Sequence, residues 1–220
     1  MNILNNYFDY NEVIILEGLG VKEMEYSLKN IELNRLKEIY KHIEHDFPPN
    51  EHAPYNVIYW QLKKGSLKGL VLCKGEYEVA YSIFTETSSE YTIVGLLAVY
   101  DEYRGHGFGT EFLKELKNIY SDRKGIIVEV EKPERAKNDA GRIVSQKRIK
   151  FYERAGFYLV PDIDYSIWDV PMHLMVLPLK ASEQIINEEI GQVIYDFYLT
   201  LLGKRFINKM KFSRVSNESK

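Results

Sequence analysis

The sequence predicts an α+β fold, in which a mixed and mostly antiparallel sheet is flanked by helices and followed by a further C-terminal helix. Two strand-like runs, 67–73 and 79–85, enclose the polar segment 74–78, and this pattern indicates a β-hairpin. Downstream, strand-like runs alternate with apolar residues at helical spacing, which is typical of helices packed on a sheet. Residues 186–202 carry one apolar stripe and predict a long amphipathic helix.

The other elements follow in chain order from local spacing. Residues 33–45 carry apolar side chains at helical intervals, and Pro48 and Pro49 end this helix because proline lacks an N–H. A second helix over Tyr55–Lys64 stops at Gly65. The strand Tyr91–Val99 is the most apolar stretch of the chain. Spacing then predicts a helix over 107–120, a strand over 126–131, a helix over 142–155 with Gly156 after it, and strands over 157–160 and 173–177.

Composition and charge limit the classes of partner. The chain has 220 residues, 45% apolar and 28% charged, and its net charge of −3 suits nucleic acid poorly. No apolar run reaches the roughly 18 residues that a membrane span needs, and residues 1–10 lack the pattern of a signal peptide. Cys73 is the only cysteine, and the five histidines show no metal-ligand spacing. We therefore expect a cytoplasmic protein without a nucleic-acid, membrane or metal partner.

The chain divides into two predicted parts. Residues 1–180 form one domain, and residues 181–220 add the amphipathic helix and a basic tail. The stripe of that helix is buried either on the same domain or in a homodimer, and its spacing is compatible with both. Residues 203–220 hold six basic side chains against Glu218 alone, which predicts a solvated tail.

A glycine-rich segment, residues 104–110 with the sequence RGHGFGT, follows the apolar strand and opens a helix. Glycines at alternate positions remove side chains where a ligand approaches the backbone. The free N–H groups of the first helical turn then face that ligand, and the helix dipole favours an anion. Arg104 adds forked donors that suit phosphate oxygens. The segment therefore predicts a phosphate site.

The spacing of this segment excludes two common phosphate motifs. A dinucleotide fingerprint needs glycine at 105, 107 and 110, but residue 110 is threonine. A P-loop needs a lysine followed by Ser or Thr at the start of the helix, and no lysine stands there. The alternative that remains is a glycine-rich turn that only starts a helix.

Two segments resemble the motifs of one family. The strand 93–99 followed by Arg104-x-x-Gly107-x-Gly109 resembles the cofactor-binding motif of the GNAT superfamily of N-acetyltransferases. Residues 151–157, FYERAGF, resemble that family's second motif, the helix end Y-E-x-x-G-F. Many members carry Asn and Ala seven and four residues before the tyrosine, where this chain has Ser145 and Arg148. The resemblance covers roughly residues 30–178.

The resemblance implies a binding mode for acetyl-CoA. The pantetheine arm would lie between two splayed parallel strands, Tyr91–Val99 and 126–131, and pair with the backbone as an added strand does. The pyrophosphate would accept hydrogen bonds from the amides of the loop. The implied cofactor contacts are Leu97, Val99, Arg104, Gly105, His106, Gly107, Phe108, Gly109, Thr110 and Ser145.

Acetyl transfer to an amine needs a base and a proton donor. A lysine-type amine has a pKa of about 10.4, so a base must remove a proton before the nitrogen can attack. The departing thiolate needs a proton or a hydrogen bond. Tyr152 matches the family's tyrosine and is the candidate donor. The alternative is a tyrosine that packs on the sheet, as most of the 17 tyrosines must.

Carboxylates supply the candidates for the base and for the acceptor site. Glu129 and Glu131 are two apart on an apolar strand and face one side, while Val128 and Val130 face the other. Glu129 is the predicted base or amine clamp. A surface ion pair with Arg142 or Arg148 is the alternative. The predicted acceptor contacts are Glu51, Glu131 and Trp168, and Tyr165 and His173 are further candidates for the pocket wall.

Three functions are therefore open. The first is an acetyl-CoA-dependent N-acetyltransferase acting on a small-molecule primary amine by direct attack in a ternary complex. The second is an acyl-CoA-binding sensor or scaffold without turnover. The third is a protein N-acetyltransferase, which needs a wide open cleft. Tyr152 and Glu129 favour an enzyme, since a binding module needs neither.

Overall fold

The computed structural model describes residues 26–49 and 51–215. Within them, five α-helices lie on a nine-stranded sheet. The strands are β1 Tyr26–Asn30, β2 Lys68–Lys74, β3 Tyr77–Glu86, β4 Tyr91–Val99, β5 Gly125–Glu131, β6 Tyr158–Leu159, β7 Ile163–Ile167, β8 Val170–Pro178 and β9 Met210–Arg214. The helices are α1 Leu36–Asp46, α2 Tyr55–Lys64, α3 Phe108–Ile119, α4 Asp139–Arg154 and α5 Glu183–Leu202. Across these described ranges, no helix has both the length and the apolar character needed to cross a lipid bilayer.

The strand order confirms the predicted fold class. The sheet runs β1-β2-β3-β4-β5-β8-β7-β9, and β6 pairs with β8. Among the described strands, β4 and β5 are the one parallel pair, and all other neighbours are antiparallel. The predicted hairpin of residues 67–85 is β2 and β3.

The two parallel strands separate halfway along their length. They pair from Tyr91 opposite Gly125 to Val94 opposite Val128, and β4 then continues to Val99 without a partner on the β5 side. The register against β3 shifts at this point, so that Gly95 is an extra residue in β4. A bulge bends the strand that carries it. The splayed pair implied by the resemblance is therefore present, and the bulge lies where the strands part.

The two faces of the sheet are covered by different helices. Along β5, Val128 and Val130 pack with residues of α3 and α4, whereas Ile127 packs with α5. Side chains alternate between the faces of a strand, so Glu129 and Glu131 share the face of Ile127. A third cluster joins α1 and α2 to β2, β3 and β4 on that same face. The gap between β4 and β5 thus connects the α3–α4 side with the α1–α2–α5 side.

The C-terminal helix packs on its own sheet. Its buried residues include Ile186, Ile190, Val193, Ile194 and Phe197, which agrees with the predicted stripe. They join the core cluster that contains Ile127 and Val176. The sequence allows this stripe to be buried either on its own domain or in a homodimer. In the structure it packs on the sheet of its own chain.

Three strands differ from the sequence prediction. β1 lies in a region that gave no clear pattern, and β7 is short and partly polar. The prediction of a solvated basic tail is wrong for Met210–Arg214, which forms β9 and pairs with β7. The cause is an alternation of apolar and polar residues that a count of charges does not show. Met210 is buried, and the ring of Phe212 packs against Gly191 of α5, so closely that a Cβ on Gly191 would lie 2.6 Å from the ring. The end of the tail, residues 216–220, lies outside the described residues.

Candidate active site

A cleft of about 1170 Å³ opens where β4 and β5 separate. One end is walled by the glycine-rich segment and the end of α4. The other end is walled by the α1–α2 connection, the β7–β8 turn and the C-terminal end of α5. Of the fifteen predicted site residues, His106 and Ser145 do not line the cleft. The other thirteen line it: Leu97, Val99, Arg104, Gly105, Gly107, Phe108, Gly109, Thr110, Glu51, Glu129, Glu131, Tyr152 and Trp168.

The three loop residues Gly105, Gly107 and Gly109 are glycine for different structural reasons. Gly105 and Gly107 both have a φ of +82°, a conformation that side-chain-bearing residues rarely adopt. A Cβ on either would meet nothing within 4 Å, so the space above them is open to a ligand. Gly107 is the N-cap of α3 and offers no side-chain cap, which leaves the first amides of the helix directed at the cleft. Gly109 differs, because its Cβ would lie 3.2 Å from the ring of Phe151 on α4.

The Arg104 side chain makes its polar contacts within the protein. Its Nε donates to the carbonyl oxygen of Val99 at 3.1 Å, and its Nη2 donates to Oδ1 of Asp46 at 2.7 Å. Its Nη1 lies 2.6 Å from Oδ1 of Asp101. His45 approaches the same two carboxylates, and this is the one group in the described ranges with metal-ligand geometry. Because the guanidinium already joins both carboxylates, the arrangement explains itself as an ion-pair network.

Arg154 is a cleft residue that the sequence reasoning missed. It lies one turn after Phe151 on α4, and Phe151 contacts the loop at Gly109. Its side chain is exposed and lines the cleft. No described carboxylate lies within 4 Å of it, in contrast to Arg104. A basic residue in the last turn of a helix also interacts favourably with the helix dipole. The sequence therefore gives no separate signal that Arg154 lines a cleft.

The side chains of His106, Phe108 and Ser145 make contacts within the protein, and for His106 and Phe108 the resemblance implies backbone amide contacts only. The His106 ring lies near Phe108 and within 3.2 Å of the Tyr103 carbonyl oxygen. Phe108 packs into the core, so only its backbone is placed at the start of α3. The Ser145 hydroxyl is turned back along α4 and donates to the carbonyl oxygen of Gly141 at 3.0 Å.

Tyr152 reaches the cleft from α4 and is otherwise buried. Its ring packs between Phe151 and Phe157, at centroid distances of 5.0 and 5.2 Å. Burial raises the pKa of its phenol to about 12, against a smaller opposing effect of Arg148. The hydroxyl therefore keeps its proton at neutral pH. None of the described residues accepts a hydrogen bond from it, so it is available to a ligand.

Glu129 enters the cleft from the opposite face of the sheet. Its carboxylate accepts a hydrogen bond from the hydroxyl of Tyr165 on β7. It also accepts from the hydroxyl of Tyr198 on α5, at 3.0 and 2.8 Å to its two oxygens. Burial raises the pKa of Glu129, and the two phenols partly oppose that shift. The surface ion pair considered for Glu129 is therefore wrong, and neither tyrosine was expected as its partner.

Two further carboxylates meet near the mouth of the cleft. Glu51 lies 3.7 Å from Nη1 of Arg148, and Glu131 is near enough to affect the pKa of Glu51. Burial is the main cause that raises the pKa of Glu51; Arg148 opposes it and Glu131 adds to it. Arg148 thus forms an ion pair with Glu51, and Glu131 is the second acidic group beside this pair.

Trp168 occupies the tip of the β7–β8 turn in an unusual conformation. Trp168 and Asp169 have φ values of +51° and +62°, although such two-residue turns favour Asn and Gly. Non-glycine residues held in this region are strained, and such strain is concentrated at functional sites. The Trp168 ring lies 6.2 Å from that of Phe206, and both line the cleft. Tyr165 is buried behind Glu129, and neither it nor His173 lines the wall.

Residues 66–159 match the family model of the acetyltransferase (GNAT) domain. The matched segment includes the glycine-rich loop, Glu129 and Tyr152, and it ends before β7 and α5. No curated protein matches the chain in sequence.

Solved structures share the fold at low sequence identity. An acetyltransferase assigned to the GNAT family from Bacteroides thetaiotaomicron has a TM-score of 0.65 at 20% identity, over 80% of this chain and 98% of that chain. An acetyltransferase from Thermus thermophilus has a TM-score of 0.53 at 14% identity, over 71% and 99%. The spermidine N-acetyltransferase of Vibrio cholerae, in a dodecameric structure, has a TM-score of 0.53 at 10% identity, over 70% and 94%.

Proposed function

We propose that this protein is an acetyl-CoA-dependent N-acetyltransferase, since residues 66–159 match the family model of the acetyltransferase (GNAT) domain. It transfers the acetyl group to a primary amine of a small-molecule acceptor by direct attack in a ternary complex. The observation that carries the proposal is that Glu129 and Tyr152 reach one cleft from opposite faces of the sheet. A base and a proton donor are thereby available on the two sides of a transferred group.

Three features of the cleft support binding of acetyl-CoA. Gly105 and Gly107 leave open space beside the first amides of α3, which is the arrangement that binds phosphate. The part of β4 beyond Val94 lacks a strand partner on the β5 side and can pair with an extended amide-containing arm. Tyr152 lines the same cleft, and none of the described residues accepts a hydrogen bond from its hydroxyl.

Glu129 and Tyr152 each carry out one of the two proton transfers. Acetyl-CoA supplies an acetyl thioester when bound. Glu129, with its raised pKa, accepts the proton that the acceptor ammonium must lose. The protonated Tyr152 phenol donates to the sulfur of the departing thiolate. Glu51 and Glu131 favour a cationic amine at the entrance, and Trp168 and Phe206 offer apolar surface to its substituent.

The proposal is tested by thiol release from acetyl-CoA over a panel of alkyl amines, aryl-substituted amines, polyamines, aminoglycosides and amino acids. The walls at the acceptor end favour small amines with an apolar substituent. Tight binding of acetyl-CoA with no thiol release from any member of the panel would favour a sensor or scaffold instead.

Arg154→Ala should weaken acetyl-CoA binding by roughly 10- to 100-fold, because one charge-assisted hydrogen bond contributes about 1.5–3 kcal/mol. Calorimetric titration with acetyl-CoA measures the change. Lys150→Ala removes the same charge from an exposed position of α4 that does not line the cleft. Equal losses in the two variants would mean that only net charge matters and that Arg154 makes no contact.

Tyr152→Phe should lower kcat by about 10²-fold and leave acetyl-CoA affinity nearly unchanged. The ring packing on Phe151 and Phe157 is retained, so only the proton donor is lost. Steady-state kinetics and a binding titration on the same preparation separate the two effects. An unchanged kcat would remove Tyr152 from the chemistry.

A further inference from the structure

We propose that Tyr165 and Tyr198 are positioning residues that hold the Glu129 carboxylate towards the cleft, so that the chain beyond residue 159 completes the active site. The inference rests on the proposed function, in which Glu129 accepts the proton of the amine. It extends that function because both tyrosines lie after the residues that match the family model.

Three elements from distant parts of the chain meet at this carboxylate. Glu129 comes from β5, Tyr165 from β7 and Tyr198 from α5. The Tyr165 hydroxyl donates to Oε1, and the Tyr198 hydroxyl lies 3.0 Å from Oε1 and 2.8 Å from Oε2. Tyr198 also lines the cleft, whereas Tyr165 lies behind the carboxylate. One phenol thus fixes the carboxylate from the core, and the other fixes it at the cleft wall.

Phenols suit this task because they stabilise the anion without neutralising it. No described Lys, Arg or His side chain lies within 4 Å of Glu129, so the hydrogen bonds of the two phenols are its polar support. A cation in direct contact would hold the carboxylate ionised and weaken it as a base. Burial raises the pKa of both phenols well above the usual range, so they remain protonated donors at neutral pH.

Other charged groups around Glu129 belong to separate pairs. Glu131 and Glu51 lie further along the cleft with Arg148 from α4. His173 on β8, opposite Val130, lies 3.7 Å from Glu134. Lys132, after the end of β5, lies 3.3 Å from Asp164 on β7. The titratable partners of Glu129 are therefore Tyr165 and Tyr198, and both affect the pKa of the Glu129 carboxyl group.

The C-terminal strand β9 contacts both elements that carry the two tyrosines. β9 pairs with β7, placing Phe212 opposite Tyr165 with their ring centroids 6.4 Å apart. The Phe212 ring also fills the space that Gly191 leaves on α5. The strand that replaces the expected tail therefore ties β7 to α5, the two elements that carry the phenols.

The test compares Tyr165→Phe and Tyr198→Phe with the matched control Tyr91→Phe. The Tyr91 hydroxyl donates at 3.0 Å to Glu189 of α5, so the control also removes a phenol–carboxylate bond between sheet and helix, but outside the cleft. Two readouts are used on the full chain. One is the pH profile of kcat/KM for amine acetylation. The other is the carboxyl titration of Glu129 by ¹³C NMR of glutamate-labelled protein, assigned by its loss in Glu129→Gln.

Each phenol lowers the pKa of Glu129, so its removal raises that pKa. A hydrogen bond to a charged group contributes enough to move a pKa by about one unit. We expect the acid limb of kcat/KM and the NMR midpoint to move up by about one pH unit in both variants, and not in Tyr91→Phe. In Tyr165→Phe the acceptor KM should stay near the original value, because Tyr165 does not line the cleft.

The two readouts separate the inference from the proposed function. An NMR midpoint that is the same in both variants and in the control would overturn the positioning role, whatever the turnover. A shifted midpoint without any acetyl transfer would support the hydrogen-bond relation and overturn the proposed function. If Tyr165→Phe does not fold, Tyr198→Phe alone decides, since Tyr198 donates to both carboxylate oxygens.

Discussion

Glu129→Gln is expected to lower kcat/KM for amine acetylation by about 10²–10⁴-fold, the contribution of a general base. Glutamine keeps the shape of the side chain and can still accept hydrogen bonds from Tyr165 and Tyr198. It cannot take a proton from the acceptor ammonium. The acid limb of the pH profile should disappear together with the rate, since that limb reports the ionisation of Glu129.

The same substitution should stabilise the folded protein near neutral pH. Burial raises the pKa of Glu129 above the unfolded value of about 4.3. The folded state therefore binds this proton more tightly, and the stability that it contributes below about pH 4 is lost as the pH rises through the folded pKa. Thermal unfolding from pH 4 to pH 8 should show the glutamine variant gaining stability relative to the original protein.

Glu189→Gln is the control with the opposite sign. Hydrogen bonding to Lys124 is the main cause that lowers the pKa of Glu189, so its contribution to stability is present above the unfolded pKa and lost as the pH falls. This control should lose a little stability at neutral pH and keep full activity, because Glu189 does not line the cleft. A rate loss in Glu129→Gln no larger than in Glu189→Gln would contradict the assignment of the base.

Gly107→Val is expected to reduce acetyl-CoA affinity by about 100-fold or more. A branched side chain at this residue enters the open space beside the first amides of α3. It would displace at least two hydrogen bonds to phosphate, each contributing about 1.5–3 kcal/mol. The positive φ adds strain of about 1–3 kcal/mol, so some stability is lost as well.

Gly65→Val separates strain from occlusion. Gly65 has a φ of +75° and ends α2 away from the cleft, and a Cβ on this residue would meet nothing within 4 Å. Both variants should lose similar thermal stability, and only Gly107→Val should lose acetyl-CoA in a calorimetric titration. If Gly65→Val weakens binding as much, the effect is general destabilisation, and the phosphate placement is refuted.

The elements that are predictable from sequence are those with strong local patterns. Tyr91–Val99 and Tyr55–Lys64 begin and end where the pattern indicates, because a long apolar run and a glycine stop are local signals. α4 begins at Asp139, three residues before the predicted start, since the Asn138 side chain caps the amide of Gly141. β9 was hidden because its two apolar residues stand among basic ones.

The site is predictable where the motif itself carries the chemistry. The glycines and Tyr152 lie in contiguous motifs, so their placement at the cleft follows from their position in the sequence. The partners of Glu129 do not, because Tyr165 and Tyr198 come from elements 36 and 69 residues away and look like ordinary core tyrosines. Arg104 was expected to face phosphate, but its contact with Asp46 spans 58 residues and depends on where α1 ends. Contacts of this kind require the tertiary structure.

In the proposed function, this cleft transfers an acetyl group to an amine. Mass spectrometry of the acceptor after incubation with acetyl-CoA tests it most directly, with Glu129→Gln and Gly107→Val run in parallel. We predict a singly acetylated amine whose formation falls in both variants, together with equal release of thiol. Thiol release with free acetate and no acetylated amine, or acetylated amine formed equally by all three proteins, would contradict it.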